Sequence, residues 1–268
     1  MAKRQTSEKI HFIANPSDQK SVDMQTRLIA QYGQADTQDA ETVCAIGGDG
    51  SLIYALRDAF NKQVIGLCRK DSNSVGFWMN HVDPNNTDLN ALTKNARRYT
   101  LRPLKVDITH NDGSHSLRYA FTDAVLASNN GQASLCHVYD REVSDAPWRI
   151  MGNGLTFATP FGSSAKAYAE GGSALDLNLN AYIMAGSGVC SPLNFKSYTY
   201  PAETVLEVHT DISRAKRDQR IDIDGQTYQP PKGLYVTGFN VSIAEGKQST
   251  LLLDRPARTA FKTLTHDV

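Results

Sequence analysis

Residues 42–60, "TVCAIGGDGSLIYALRDAF", decide the fold. "TVCAI" (42–46) is short, apolar and rich in β-formers, the pattern of a strand covered on both faces of a parallel sheet. "GGDG" (47–50) follows, and "SLIYALRDAF" (51–60) then puts Leu52, Ile53, Leu56 and Phe60 on one helical face. A strand, a glycine turn and a helix leave backbone N–H groups at the helix start, where phosphate oxygens bind. The carboxyl end of a strand is also where open α/β sheets hold ligands. Asp49 repels phosphate, so it has another task. It can accept a proton from a hydroxyl, hold a magnesium ion, or cap the helix. No Lys-Ser/Thr follows, which excludes a Walker A loop, and the spacing is not G-x-G-x-x-G.

The same alternation extends on both sides. "KIHFIANP" (9–16) predicts a strand closed by Asn15-Pro16, and "QVIGLCR" (63–69) a further buried strand. "DQKSVDMQTRLIAQYG" (18–33) predicts a helix through Val22, Met24, Leu28, Ile29 and Tyr32, stopped by Gly33. "DPNNTDLNALTKNARR" (83–98) closes this α/β layer with a helix capped by Thr87 or Asp88. Residues 1–98 therefore read as a doubly wound α/β domain.

From Tyr99 the texture changes to short runs such as "LKVDITH" (104–110), "HSLRYAFTDAVLAS" (115–128), "SLCHVYD" (134–140) and "LYVTGFNVSIA" (234–244). Turn residues separate them, with "NDG" (111–113) a strong hairpin signal and "NNG" (129–131) another turn. Residues 99–246 thus form a β-rich domain, sandwiched or layered. "STLLLDR" (249–255) reads as a buried strand, and the segment 247–268 is expected to return to the first layer.

Composition excludes several classes. Lys+Arg and Asp+Glu number 28 each, so no global field favours nucleic acid or an anionic membrane, and any anion site is local. No run approaches the roughly 18 apolar residues of a membrane helix, and "MAKRQTSEKI" lacks the apolar centre of a signal peptide. A cytoplasmic protein is expected. Cys44, Cys68, Cys136 and Cys190 show no C-x-x-C and read as buried small hydrophobes. The seven histidines, from His11 to His266, show no i, i+4 pair, so no metal site is expected. Arg69-Lys70 could meet phosphate, with a solvated pair the plainer reading.

A second glycine-rich stretch, "GNGLTFATPFGSSAKAYAEGG" (152–172), predicts a turn, a strand, and a helix capped by Ser163 or Ser164 and stopped at Gly171-Gly172. Asp222 and Asp224 in "RIDIDGQTY" (220–228) alternate with isoleucines on a solvated edge or site wall, and Asp224-Gly225 make a turn.

"GGDGSL" (47–52), "NSVGFWMN" (73–80), "TDAVL" (122–126) and "GNGLTFATPFGSSAKAY" (152–168) stand in the order and spacing that resembles the NAD kinase family in its compact bacterial form. The likeness spans about Lys9 to Arg255. The Gly-Gly-Asp-Gly element is also similar to that of diacylglycerol kinases and 6-phosphofructokinases. The resemblance implies an α/β domain and a β-rich domain holding NAD, in a homodimer or homotetramer. It implies phosphoryl transfer from ATP with Mg²⁺, or from polyphosphate, to the 2′-hydroxyl of the adenosine ribose, making NADP.

By motif, Asp49 would be the base, with Gly48 and Gly50 lining the nucleotide and Asn73 near it. In the second domain the resemblance implies contacts from Thr122, Asp123, Asn153 and Thr159. The helix would add Ser163, Ser164, Ala165, Lys166, Tyr168 and Ala169, while Ala185 and Gln226 would complete the site. Five positions depart from the family pattern. Its Asn-Glu pair reads Thr122-Asp123, its Gly-Asp-Gly reads Gly152-Asn153-Gly154, an arginine reads Met151, and a tyrosine reads Lys166. An aromatic surface has become a cation there. Two other readings follow: a nucleotide-binding relative without the kinase reaction, and a lipid kinase, which the lack of a basic or amphipathic patch disfavours.

Overall fold

Buried runs of β-formers build the first sheet. In the computed structural model, which describes residues 9–130, 132–210 and 219–257, the chain separates into two units. One comprises 9–101 with 247–257, and the other the described residues from 102 to 246. The N-terminal decapeptide up to residue 8, Gly131, and the 258–268 portion of the expected return segment, with His266, lie outside the described residues.

The first unit runs β1 (Ile10–Ala14), α1 (Gln19–Tyr32), β2 (Thr42–Ile46), α2 (Asp49–Arg57), β3 (Gln63–Arg69), β4 (Asn80–Val82), α3 (Leu89–Asn95) and β5 (Arg97–Leu101). The last described strand, Ser249–Leu253, joins the same sheet. Its order is β1, β2, β3, that strand and β5, with β4 pairing the far end of β3. β1, β2 and β3 pair in parallel, and every residue of β2 is buried, as its uninterrupted apolar run requires. Helix α1 buries Met24 and Leu28 and ends at Gly33, whose φ of 86° favours glycine. Helix α2 stops at Arg57, short of Phe60, and Asp88 caps α3 by accepting from Ala91 N–H at 3.2 Å.

Asn80 fixes the junction beside β4. Its buried amide donates to Gly66 O at 3.0 Å and Leu252 O at 2.9 Å, and accepts from Asp254 N–H at 2.7 Å.

The second unit continues with β6 (Leu104–His110), β7 (His115–Ala120), β8 (Asp123–Ser128), β9 (Ser134–Asp140), β10 (Trp148–Gly152), β11 (Gly154–Ala158), α4 (Lys166–Ala169) and β12 (Ala181–Ser187). It ends with β13 (Tyr198–Pro201), β14 (Leu206–Thr210), β15 (Gln219–Ile223), β16 (Gln226–Thr227) and β17 (Val236–Ile243), after which Ser249–Leu253 is β18. Among the described residues these make two six-stranded antiparallel sheets, β10-β9-β14-β17-β6-β7 and β13-β12-β11-β8-β15-β16. Their inner faces share one core. Val106, Ile108, Val208, Phe239 and Val241 from one sheet pack with Leu126, Phe157 and Tyr182 from the other, and Phe157 meets Phe239 edge-to-face at 5.7 Å.

The run 115–128 is two strands, not one, broken at Phe121-Thr122. The helix expected between Ser163 or Ser164 and Gly171-Gly172 is the single turn α4, which starts at Lys166. Neither serine caps it. Ser163 is fully buried, donating to Pro160 O and accepting from Leu175 N–H, both at 2.8 Å. Gly171, at φ 82°, stops the turn where the sequence places the stop. Cys44, Cys68 and Cys136 are buried, whereas Cys190 is exposed, its thiol directed at Met151 O.

Candidate active site

The glycine turn of the first unit opens a cleft of about 1010 Å³, the size that accommodates a nucleotide-sized ligand. Its walls include Asn15 and Pro16 after β1, Gly47–Ser51, Tyr54 of α2, and Ser72, Ser74 and Val75 of the loop after β3. Gly47 takes a φ of 142° that favours glycine, and a Cβ on Gly48 would come within 2.2 Å of Ser74 Oγ, so that hydroxyl would have to rotate away. Gly50 differs. A Cβ there would meet nothing within 4 Å, so the protein's own packing does not require glycine at this position. The first N–H groups of α2, at Asp49 and Gly50, have no acceptor within the helix and stand at the positive end of its dipole.

Asp49 does not cap α2. Gly48 occupies the cap position, and the Asp49 carboxylate turns to the loop after β3. Oδ2 accepts from Phe77 N–H and Oδ1 from Trp78 N–H, each at 2.8 Å. Two backbone donors on one carboxylate fix its plane and its position, and leave lone pairs on both oxygens for a further partner. Asn73, on the same loop, is exposed but is not part of the cleft lining.

Arg69 is the reverse of a solvated residue. It is buried, and its guanidinium donates to Asp18 at 3.0 Å and Asp71 at 2.9 Å, as well as to Ser21 Oγ at 3.2 Å. Arg69 therefore braces the start of α1, with the Asp18 carboxyl held below the usual range by Ser21 and the guanidinium. Lys70 alone of the pair is exposed.

In the second unit Asp224 organises the corner before β8. It is buried, follows β15 with a left-handed φ of 47°, and does not share a solvated face with Asp222. Oδ1 accepts from Thr122 N–H and from Thr122 Oγ1, both at 2.7 Å, and Oδ2 accepts from Phe121 N–H at 3.0 Å. Thr159 grips the corner from the other side, donating its hydroxyl to Phe121 O at 2.6 Å. Gly162 is forced by the same contact, since a Cβ there would sit 2.1 Å from Thr122 O. Thr122, Thr159 and Ser163 thus have their hydroxyl protons committed inside the unit.

Asp123, the next residue, is buried at 9% exposure. Burial first, then the neighbouring Asp224 charge, push its carboxyl up from 3.8 to about 6, while Lys166 opposes the shift and Glu170 and Asp222 add to it. Lys166 Nζ lies 2.9 Å from Glu170 Oε1, one turn along α4, and Glu170 is 8% exposed. The Glu170 oxygens make no aligned hydrogen bond, so Lys166 is their counter-ion. Asp222 is separately paired with Arg220 at 3.0 Å and with the Thr227 hydroxyl at 2.7 Å.

The other expected residues divide by exposure. Ala165, Lys166, Tyr168 and Ala169 are exposed on or beside α4, with Ser164 half-buried, while Asn153 is exposed in the bend between β10 and β11 and Gln226 is exposed at the start of β16. Ala185 is fully buried within β12, packed with Ala158 and Ala167. Sequence reasoning missed Glu170, Asp224 as the organiser of the corner, the Phe77 and Trp78 N–H groups, and Tyr54. Only Glu170 carried a pattern signal, its i, i+4 spacing from Lys166.

No family model matches the chain. A NAD kinase of Xanthomonas campestris is 30% identical over 198 residues, covering 73% of this chain and 75% of that relative. A NAD kinase of Brucella melitensis is 26% identical over 255 residues, covering 94% of each chain. Yeast NADH kinase solved with NADH superposes with a TM-score of 0.76 at 15% identity, covering 96% of this chain and 86% of that one. An Archaeoglobus fulgidus NAD kinase solved with ATP gives 0.66 at 16%, covering 96% and 97%. The fold, an α/β unit joined to a β-rich unit, is therefore that of the nicotinamide-dinucleotide kinases. The chain belongs to the NAD kinase family.

Proposed function

We infer that this chain is an ATP-dependent NAD kinase. The bond formed joins the 2′-oxygen of the NAD adenosine ribose to the terminal phosphorus of ATP. The bond broken is that phosphorus to its bridging oxygen, so ADP leaves, NADP forms, and the hydroxyl proton passes to Asp49. The observation that carries this reading is the Asp49 carboxylate. It is fixed by two backbone donors at the start of a glycine-lined helix, in a cleft large enough for a nucleotide. Phosphoryl transfer needs little covalent help from a protein, only position and charge neutralisation, and a pinned proton acceptor supplies the first.

The phosphates bind the N–H groups of Asp49 and Gly50. Magnesium enters with ATP as part of the substrate and neutralises phosphate charge, an arrangement that asks for at most one or two protein carboxylates. Asp123 accepts from ribose hydroxyls, and the exposed face of α4, with Lys166 and Tyr168, contacts the dinucleotide. Asn73, Asn153 and Gln226 add polar contacts, and the chain acts in the cytoplasm as a homodimer or homotetramer. The test is NADP formation from NAD and MgATP by the wild type and Asp49→Asn. The variant is expected to fall by about 10²- to 10⁴-fold in kcat. Equal rates would remove Asp49 from its role, and no NADP from either would overturn the kinase reading.

A further inference from the structure

The cleft of the first unit has an apolar wall that phosphate binding leaves unexplained. Tyr54 lies four residues beyond Gly50 on α2, so the two share one face of the helix. The opposite face holds the core residues Leu52, Ala55 and Leu56. Tyr54 is 56% exposed although it lines the cleft, and Val75, which also lines it, is 59% exposed. Ile13 and Pro16 add further apolar surface. Beside Gly50 the space is open. Two large apolar side chains held open on the walls of a cleft are the mark of a binding surface rather than of packing.

Resting on the kinase reading above, we propose that Tyr54 is the shelf on which the base of the phosphoryl donor stacks. The donor this site selects is thereby a nucleoside triphosphate and not an inorganic polyphosphate. Four residues of helix rise by about 6 Å, so a ligand whose phosphates sit on the first N–H groups carries its base alongside the ring a turn away. The open flank at Gly50 lets the sugar pass over the backbone. An aromatic face holds any base by its π-surface and offers nothing to a chain of bare phosphates.

The test compares the full-length wild type with Tyr54→Ala and Tyr54→Phe. Tyr54 lies outside the core, so both variants are expected to fold, which circular dichroism checks. Calorimetry with MgATP and, separately, with magnesium tripolyphosphate reads the shelf without turnover. Wild type is expected to prefer MgATP, Tyr54→Ala to lose MgATP affinity by on the order of tenfold or more, and Tyr54→Phe to retain it. The two ligands then bind Tyr54→Ala alike. In turnover, the KM for ATP rises by the same factor while that for NAD stays within about twofold. Unchanged ATP affinity in Tyr54→Ala, loss of tripolyphosphate affinity in parallel, or a rise in the NAD KM instead would each overturn the proposal. A wild type that binds MgATP through Tyr54 yet makes no NADP would overturn the kinase reading and leave the shelf standing.

Discussion

Asp123→Asn separates what the fold tolerates from what a ligand needs. The folded chain holds the Asp123 proton to about pH 6, against 3.8 for an ordinary aspartate. The folded state thus binds that proton more tightly than the unfolded chain does. The stability this contributes is present below pH 3.8, declines as pH rises through the interval, and is gone above about 6. The gap from 3.8 to about 6 corresponds to about 3 kcal/mol at neutral pH relative to a group that stays neutral. Asparagine has the same shape and no charge to bury. Urea unfolding of both proteins at pH 4, 6 and 7.5 measures it, and their difference cancels the titrating groups that do not interact with Asp123. At pH 7.5 the variant is expected to be more stable by about 2–3 kcal/mol, with the gap closing toward pH 4. The same variant should bind NAD more weakly at pH 7.5. A gap independent of pH, or a wild type more stable than the variant at pH 7.5, would refute the reasoning.

Gly50→Ala meets open space in a helix, so it should leave stability unchanged or raise it by about 0.5–1 kcal/mol, while kcat/KM falls at least about tenfold. Thermal melts and initial rates on one preparation check both halves. Asn80→Ala strands two buried carbonyls and the Asp254 N–H, and urea unfolding should show a loss of roughly 3–4 kcal/mol. Lys166→Tyr leaves the Glu170 carboxylate buried without its counter-ion, and because Lys166 is half-exposed the loss should be only about 1–2 kcal/mol. Adding Glu170→Ala should restore that stability, which a double-mutant cycle measures.

The alternation of buried strand and helix around Gly47–Gly50 was legible because each element there obeys one period. β1, α1, β2, α2 and β3 fall where the apolar spacing puts them. The second unit was legible as β-rich from its alternation and turns, with "NDG" joining β6 to β7 as its glycine predicts. The breaks were not. Nothing local divides 115–128 at Phe121-Thr122. The division comes from an Asp224 carboxylate more than a hundred residues away and from the Thr159 hydroxyl. The serines at 163 and 164 read as caps because capping is a local rule, yet the Ser163 hydroxyl is taken by Leu175 N–H, a tertiary contact that overrides it. Arg69 beside Lys70 looked solvated for the same reason, since the acids that pair with it stand at the cap of α1 and in the loop after β3. The place of Asp49 in the glycine turn was readable, whereas the donors that fix its carboxylate are main-chain groups of Phe77 and Trp78, which any sequence supplies.

The two carboxylates are handled in opposite ways, and the contrast argues for their roles. Asp49 is supplied with two backbone donors, so its position is settled before any ligand arrives. Asp123 is given burial and acidic neighbours, with Lys166 only a partial compensation across α4. The fold treats the first as a fixed tool and carries the second at a loss in stability. A buried acid without donors is destabilising in the free protein, and such groups persist where a ligand supplies what the protein withholds. Ribose hydroxyls are donors of that kind. The corner that Asp224 and Thr159 build around Phe121 and Thr122 fixes the backbone from which Asp123 projects.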